Sequence, residues 1–349
     1  MKKLIQLIIL FISFAYSQGG IVSGFISDSS SGEALIGANV MIQETGQGMA
    51  TDINGYYIIQ NINPGSYTLM ASYVGFRVSR IQIILSDEES IKKDIEMVED
   101  LVQLTQVDVT AEKLQRRNNI QPSKINLSPR MMKAAPALAE PDLFRTIQAL
   151  PGVLTTSEYS TGLVIRGGNT DQNLIMLDGI TVYNPSHLGG VFSNFIVDGV
   201  KEAELIKGAY NAEYGGRLSA VLNVISREGN QKEFKGKANI SLLSAQTTLE
   251  GPFYKGAWIL SGRRTYFDLV LPKVLPDNIA TNIPPYFFYD VQGHIFSDIS
   301  SKDRFSLSYY TGIDDILFDT FGLDGRWGNN TISGHWRRVF SERLVGNFL

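Results

Sequence analysis

The stretch from Leu150 to Ser226 constrains the fold more than any other part of the chain. It begins Pro151-Gly152-Val153, passes through Val164-Ile165-Arg166-Gly167-Gly168 and reaches Leu174-Ile175-Met176-Leu177-Asp178-Gly179. It continues to Ile206-Lys207-Gly208 and Tyr214-Gly215-Gly216-Arg217, and closes on Ala220-Val221-Leu222-Asn223-Val224-Ile225. Short apolar runs alternate with glycine pairs, whose backbones reach conformations that a Cβ forbids. This predicts a compact, loop-rich sheet with tight corners, and Asp178-Gly179 predicts a two-residue hairpin turn. Arg166 and Arg217 each flank a glycine pair, where a fixed multi-donor cation can clamp a carboxylate. An ordinary α+β domain with glycine-rich hairpins and solvated arginines fits the same spacing.

The rest of the chain excludes several classes. Its 349 residues carry a net charge of −4, which argues against nucleic acid as a partner. There is no cysteine, so disulfides, thiolate metal sites and a lipidated N-terminal cysteine are all absent. The three histidines, His187, His294 and His335, form no helical metal-binding pair, and neither a metal site nor a cofactor is expected. No phosphate-binding loop, nucleophile elbow or dinucleotide fingerprint occurs, so no enzyme is expected.

Lys2-Lys3, an apolar run from Leu4 to Phe14 and Ala15-Tyr16-Ser17 read as a secretory signal peptide over 1–17, cleaved after Ser17. No later run is apolar enough for a membrane helix, so any membrane span must be a β-barrel. From 18 to 97, short strands (Ile21–Ile26, Gly37–Ile42, Tyr56–Ile59, Ser66–Tyr73) separated by Gly, Pro, Asn and Asp predict a small β-sandwich. Asp52-Ile53-Asn54-Gly55 reads as a hairpin turn; calcium is the other reading of its oxygens. Residues 98–139 turn polar and read as a linker. Within it, Leu104-Thr105-Gln106-Val107-Asp108-Val109 alternates like an extended segment able to add a strand to a partner's sheet edge, or like a first strand of the next domain. Pro141 and Asp142 open a short helix with an apolar stripe of Leu143, Phe144, Ile147 and Leu150, which Pro151-Gly152 stops.

After 229 the texture changes. All three tryptophans lie there, and Tyr289, Val291 and Ile295 share one strand face opposite Asp290, Gln292 and His294. Phe305, Leu307 and Tyr309 oppose Arg304, Ser306 and Ser308, and Ile332, Gly334 and Trp336 oppose Ser333, His335 and Arg337. Apolar-out, polar-in alternation with aromatic ends is the pattern of an outer-membrane barrel wall, which a soluble sandwich shares.

Pro141 to Val153, Ile165-Arg166-Gly167-Gly168, Asp171 to Leu174, Leu177-Asp178-Gly179, Val182 to Leu188, Ile206-Lys207-Gly208 and Tyr214 to Arg217 together resemble the plug domain of TonB-dependent outer-membrane receptors. Gly24, Gly37 to Val40, Thr51-Asp52, Asn54 to Tyr56 and Pro64 to Tyr67 resemble the carboxypeptidase regulatory-like (transthyretin-like) domain that precedes the plug in receptors of Bacteroidetes-type bacteria. The resemblance implies a mainly β chain: sandwich, α+β plug over 140–228 (starting as early as 110), then an incomplete antiparallel outer-membrane β-barrel over 229–349. Such a barrel takes about 22 strands, and the residues after Glu228 supply about six to eight, which predicts the front part of a longer receptor or a split reading frame.

It further implies active uptake of a ligand across the outer membrane, with the sandwich in the periplasm and TonB and its inner-membrane complex as partners. Membrane lipid, an extracellular ligand and a lipoprotein lid are the other implied partners. Thr105, Gln106, Val107, Asp108 and Val109 become the TonB-box candidate. Arg166, Gly167, Gly168, Asp178, Gly179, Lys207, Gly208, Gly215, Gly216 and Arg217 become the plug motif, with the two arginines latching plug to wall. Tyr183, Asn184 and His187 become a ligand-facing loop. Tyr210 to Ile225 departs from the Sus-type glycan importers, which weighs against a glycan cargo and a lipoprotein lid without excluding them, and siderophore, cobalamin, peptide and metal chelate stay open as cargo. A non-transporting outer-membrane binding or assembly protein is the alternative function.

Overall fold

The computed structural model describes residues 19–87, 89–100, 123–135, 140–157, 160–274, 276, 284–300, 302–318, 323–341 and 344–349. The expected signal peptide and the segment 104–109 lie outside them. The chain divides into two compact units, 1–118 and 119–349.

In the first unit the strands are β1 (Gly20–Asp28), β2 (Asn39–Ile42), β3 (Gly48–Ala50), β4 (Tyr56–Ile62), β5 (Gly65–Ser72), β6 (Ser79–Leu85), β7 (Ser90–Lys92) and β8 (Ile95–Met97). They form two four-stranded sheets, β3-β2-β5-β6 and a second in which β1 pairs β4, β7 and β8. The inward half of each alternating strand meets in one core, with Val22, Ile26, Val40, Tyr57, Leu69 and Ile83 buried together. Gly24 is required by packing: a Cβ there would lie 2.0 Å from the Lys93 carbonyl oxygen. Asp52 makes the expected turn, its Oδ1 accepting from the Asn54 and Tyr56 amides at 2.8 Å each. That use of the carboxylate is the hairpin reading of the tetrapeptide.

The second unit opens with β9 (Lys124–Leu127) and α1 (Pro129–Ala134), inside the stretch read from sequence as linker. It continues through α2 (Leu143–Gln148), β10 (Val153–Thr155), β11 (Leu163–Ile165), β12 (Leu174–Leu177), β13 (Ile180–Thr181), β14 (Ser186–His187), β15 (Phe192–Ser193), β16 (Val200–Ile206) and β17 (Val221–Ser226). One sheet has the order β13-β12-β17-β16-β9. Its edge strand β9 pairs Leu127 with Ala203 and Lys124 with Ile206, so the plug fold begins by Lys124 rather than at 140. The four-residue strand carries too little periodicity to be read alone.

α2 is shorter at its start than expected: Asp142 stands as N-cap, its side chain accepting from the Arg145 amide at 3.0 Å. Leu143, Phe144 and Ile147 bury one face of α2 against Leu177, Leu205, Leu222 and Val224 of the sheet. Asp178 and Gly179 have φ of 48° and 82° between paired Leu177 and Ile180, the mirror-image turn that suits a two-residue hairpin. The Asp178 carboxylate then accepts from the Ser226 amide at 2.8 Å and its hydroxyl at 2.6 Å, tying that turn to the end of β17.

The chain ends in β18 (Lys235–Ile240), β19 (Ser244–Phe253), β20 (Gly256–Thr265), α3 (Phe267–Val274), β21 (Tyr286–Asp298), β22 (Asp303–Phe318), β23 (Leu323–Ser341) and β24 (Leu344–Phe348). These seven strands form an antiparallel meander in sequence order, an open sheet. Leu260, Phe305, Leu307 and Ile332 project from its outer face, and Phe305, Trp336 and Phe348 stack there with centroids 5.6 and 5.0 Å apart. The inner face carries buried Ser261, Arg263, Asp290, Gln292, Ser308 and Asp314. It also carries Phe288, Phe296 and Tyr310, which the alternation argument left out. Tyr310 reaches into the plug core itself, so the wall's inner face is not uniformly polar.

Candidate functional site at the plug–wall contact

Parity along the wall strands sets which side chains meet the plug. In β20, β21 and β22, Arg263, Asp290 and Asp314 all fall on the inner face, where they are buried. An isolated buried charge is costly, so each must be met by the opposite charge or by several donors. Arg263 donates through Nε and Nη2 to Asp290 Oδ2 at 2.8 and 2.5 Å, and through Nη1 to Glu140 Oε1 of the plug at 2.7 Å. Its Nη2 also donates to the Ser193 carbonyl at 2.7 Å. Glu140 Oε2 accepts from Gln246 Nε2 at 2.6 Å and from the Ser244 hydroxyl.

His187 of the plug lies between two wall carboxylates. Its Nε2 is 2.8 Å from Asp290 Oδ1 and its Nδ1 is 2.8 Å from Asp314 Oδ2. The ring stacks on Phe288 with centroids 4.1 Å apart. Burial alone would lower its pKa; the charge and hydrogen bonds of Asp290, with Asp314, outweigh burial, and the net direction is above the ordinary imidazole value. The expectation that His187 faces ligand is corrected here: it is closed to solvent and both ring nitrogens are engaged. Asn184 is likewise turned to the wall, its carbonyl accepting from Asn329 Nδ2 at 2.6 Å. Of the loop candidates only Tyr183 is open, at 80% exposure, beside a cleft lined by Ile180, Thr181, Asn329, Asn330 and Thr331.

A second group of contacts lies nearer the opposite end of the wall strands. Arg304 Nη1 donates to Glu228 Oε1 at 3.1 Å, and Arg227 Nη2 to Glu250 Oε2 at 2.7 Å. Asp198 accepts from Lys133 at 2.5 Å and Lys237 at 2.6 Å. Burial would raise the Asp198 carboxyl, but the two lysines outweigh it and hold it below the usual range. His335 Nε2 of the wall donates to the Asp178 carbonyl at 3.0 Å, adding a wall contact at the hairpin motif.

The glycine motifs themselves gather at one corner of the plug. Lys207 Nζ donates to the Pro151 carbonyl at 2.8 Å, and the Arg166 amide donates to the Gly152 carbonyl at 3.1 Å. Gly168 packs on Ser219, where a Cβ would lie 2.4 Å from the serine Cβ. A Cβ on Gly208 would approach Arg166 Nη1 at 3.4 Å. Ser123, the first described residue of the plug, donates to the Gly208 carbonyl at 2.5 Å. Arg166 is exposed with φ of 48°, and Gly215-Gly216-Arg217 lie in a surface loop. Among the described residues no carboxylate pairs with either guanidinium. Glu140, Arg263, Asp290 and Asp314 were missed from sequence; the available signal was that the wall charges occupy inward parity positions.

The geometry is that of a small mixed sheet seated by buried ion pairs on an open antiparallel strand meander. Residues 127–221 match the TonB-dependent Receptor Plug Domain, and residues 22–109 match the CarboxypepD_reg-like domain. The chain therefore carries a CarboxypepD_reg-like domain followed by a TonB-dependent receptor plug domain. It is 24% identical over 241 residues to the TonB-dependent transporter Oar of Myxococcus xanthus, covering 65% of this chain and 22% of that protein. It is 24% identical over 321 residues to the TonB-dependent receptor SusC of Bacteroides thetaiotaomicron, covering 87% of this chain and 30% of that protein. The chain thus spans less than a third of the length of these relatives. Among solved structures, the siderophore receptor PirA from Acinetobacter baumannii is similar with a TM-score of 0.46 at 16% identity, over 67% of this chain and 40% of that one.

Proposed function

We propose that this chain forms the sandwich, plug and first wall strands of a TonB-dependent transporter that takes a ligand across the outer membrane into the periplasm. The observation that carries the reading is the plug–wall contact: charged and hydrogen-bonded groups on the wall's inner face meet complementary groups of the plug. Such a contact holds the plug in place yet exchanges readily with water when the plug moves, which an apolar interface of the same size does not. By the general rule for these walls, the short link at Tyr254–Lys255 is periplasmic and the long connection over 266–285, which holds α3, is extracellular.

On this reading TonB adds a strand to Thr105–Val109, which precede the plug, and draws on the plug through Ser123 and the glycine corner. The absence of cysteine makes the test direct. A single cysteine at Asp108 is expected to cross-link to a cysteine scanned through the carboxy-terminal domain of TonB in intact cells. Adding Val107→Pro should abolish the cross-link without lowering the outer-membrane level, since proline removes a donor and breaks strand addition. Cross-linking that proline leaves unchanged sinks the strand-addition assignment, and no cross-link anywhere in 101–122 favours the binding-module reading.

Arg166 and Arg217 are proposed as the latch on wall carboxylates beyond those described. Together, Arg166→Ala and Arg217→Ala should admit bulky antibiotics that the intact receptor excludes; unchanged resistance in a minimum-inhibitory-concentration assay would count against the latch.

A further inference from the structure

The acceptor count at His187 is complete on the wall side. Asp290 Oδ1 accepts from His187 Nε2 and from the Tyr310 hydroxyl at 2.9 Å, while Oδ2 is held by Arg263. Asp314 Oδ2 faces His187 Nδ1, and Oδ1 accepts from the Leu188 amide at 3.1 Å and from the Tyr286 hydroxyl. Asp290, held by Arg263 and the Tyr310 hydroxyl, is an acceptor for Nε2, and Asp314 offers Oδ2 to Nδ1 while its other oxygen takes the Leu188 amide; a ring that donates to both carboxylates carries two protons. A neutral ring would point a lone pair at one carboxylate. The groups around His187 are therefore Asp290 and Tyr286 of β21, Asp314 and Tyr310 of β22, Arg263 of β20 and, through Arg263, Glu140 of the plug.

The backbone beside the ring is strained. Leu188 has φ of 49°, followed by Gly189 at 61° and Gly190 at 104°. A left-handed leucine persists only where its surroundings over-determine it. Here the Leu188 amide is held jointly by Asp314 and by the Tyr286 hydroxyl at 2.9 Å. The same wall carboxylate thus fixes the histidine ring and the strained residue after it.

We propose that His187 is a proton-dependent latch: as an imidazolium it bridges Asp290 and Asp314 and pins the 183–193 loop to the wall, and loss of one ring proton frees that loop. The sign follows from the linkage. A histidine whose pKa is raised by folding contributes fully below the ordinary value of 6.5, and its contribution is lost as pH climbs through the raised value. The latch is closed below the ordinary imidazole value and opens as pH climbs through the raised one. The inference rests on the transporter reading only for its consequence, which is that plug release would depend on external pH.

The test is hydrogen–deuterium exchange of the 183–193 peptide in the full chain in detergent micelles, expressed relative to the intrinsic rate at each pH. Protection is expected to hold at low pH and fall about tenfold as pH rises past the histidine, the loss of one charge-assisted hydrogen bond. His187→Gln should show low protection with no such step. A flat wild-type profile from pH 6 to 10, or the same step in the variant, overturns the proposal. Should the variant not fold, ¹⁵N imidazole spectra of the wild-type chain, assigned with His294→Gln and His335→Gln, decide it. A doubly protonated His187 at pH 6.5 supports the latch, and a neutral tautomer there ends it. Neither readout involves TonB or cargo, so its failure leaves the transport reading standing.

Discussion

Arg263→Met is expected to loosen the plug from the wall by about 3–5 kcal/mol, because it leaves Glu140 and Asp290 as buried carboxylates without their common cation. The loss measures the charge left behind more than the worth of the pairs. Denaturant titration of the full chain in micelles should show the plug transition shifting to lower denaturant while the wall transition stays. Glu140→Gln in the same chain removes one of the two orphaned charges and should recover part of the loss. A change below about 1 kcal/mol would mean that lumen water already screens Arg263, as it does an exposed pair, and that the ionic seat is not what holds the plug.

Glu202→Gln is expected to act in the opposite direction and only at neutral and higher pH. Glu202 lies in β16 with 5% exposure, and among the described residues its Oε2 has no donor. Burial, reinforced by the neighbouring Glu204 charge and opposed by Lys124 and Lys201, raises its carboxyl from 4.5 to about 7. A carboxyl raised by folding favours the fold while protonated, so the wild-type chain loses stability as pH climbs from 4.5 towards 7. That interval is worth about 3 kcal/mol. The amide never ionises, so the variant should match wild type near pH 4 and exceed it by about that amount above pH 7. Unfolding curves that stay parallel across pH 4–8 would show that Glu202 reaches water in the folded chain.

How far the chain was legible from sequence depends on how local each signal is. The Asp178-Gly179 turn, the apolar stripe of α2 and the alternation in β21 and β22 are set by neighbours within a few residues, and all were readable. β9 was not, because four residues show no period and owe their place to pairing with β16. The site was legible only as motifs. His187 was expected in a loop facing ligand; it ends the two-residue strand β14, and its ring is engaged by Asp290 and Asp314, more than a hundred residues further on.

By itself the sequence determined the strand texture, the turns and the order of the two matched domains, because periodicity and glycine placement act over short spans of chain. The tertiary structure decided which charges meet. Inward parity marks Arg263, Asp290 and Asp314 as facing the plug, yet only the seating of plug on wall selects Glu140 and His187 as their partners. Pairing of buried charges is fixed by distance in space, to within a few tenths of an ångström, and one strand's sequence carries no record of where another strand's side chain will stand.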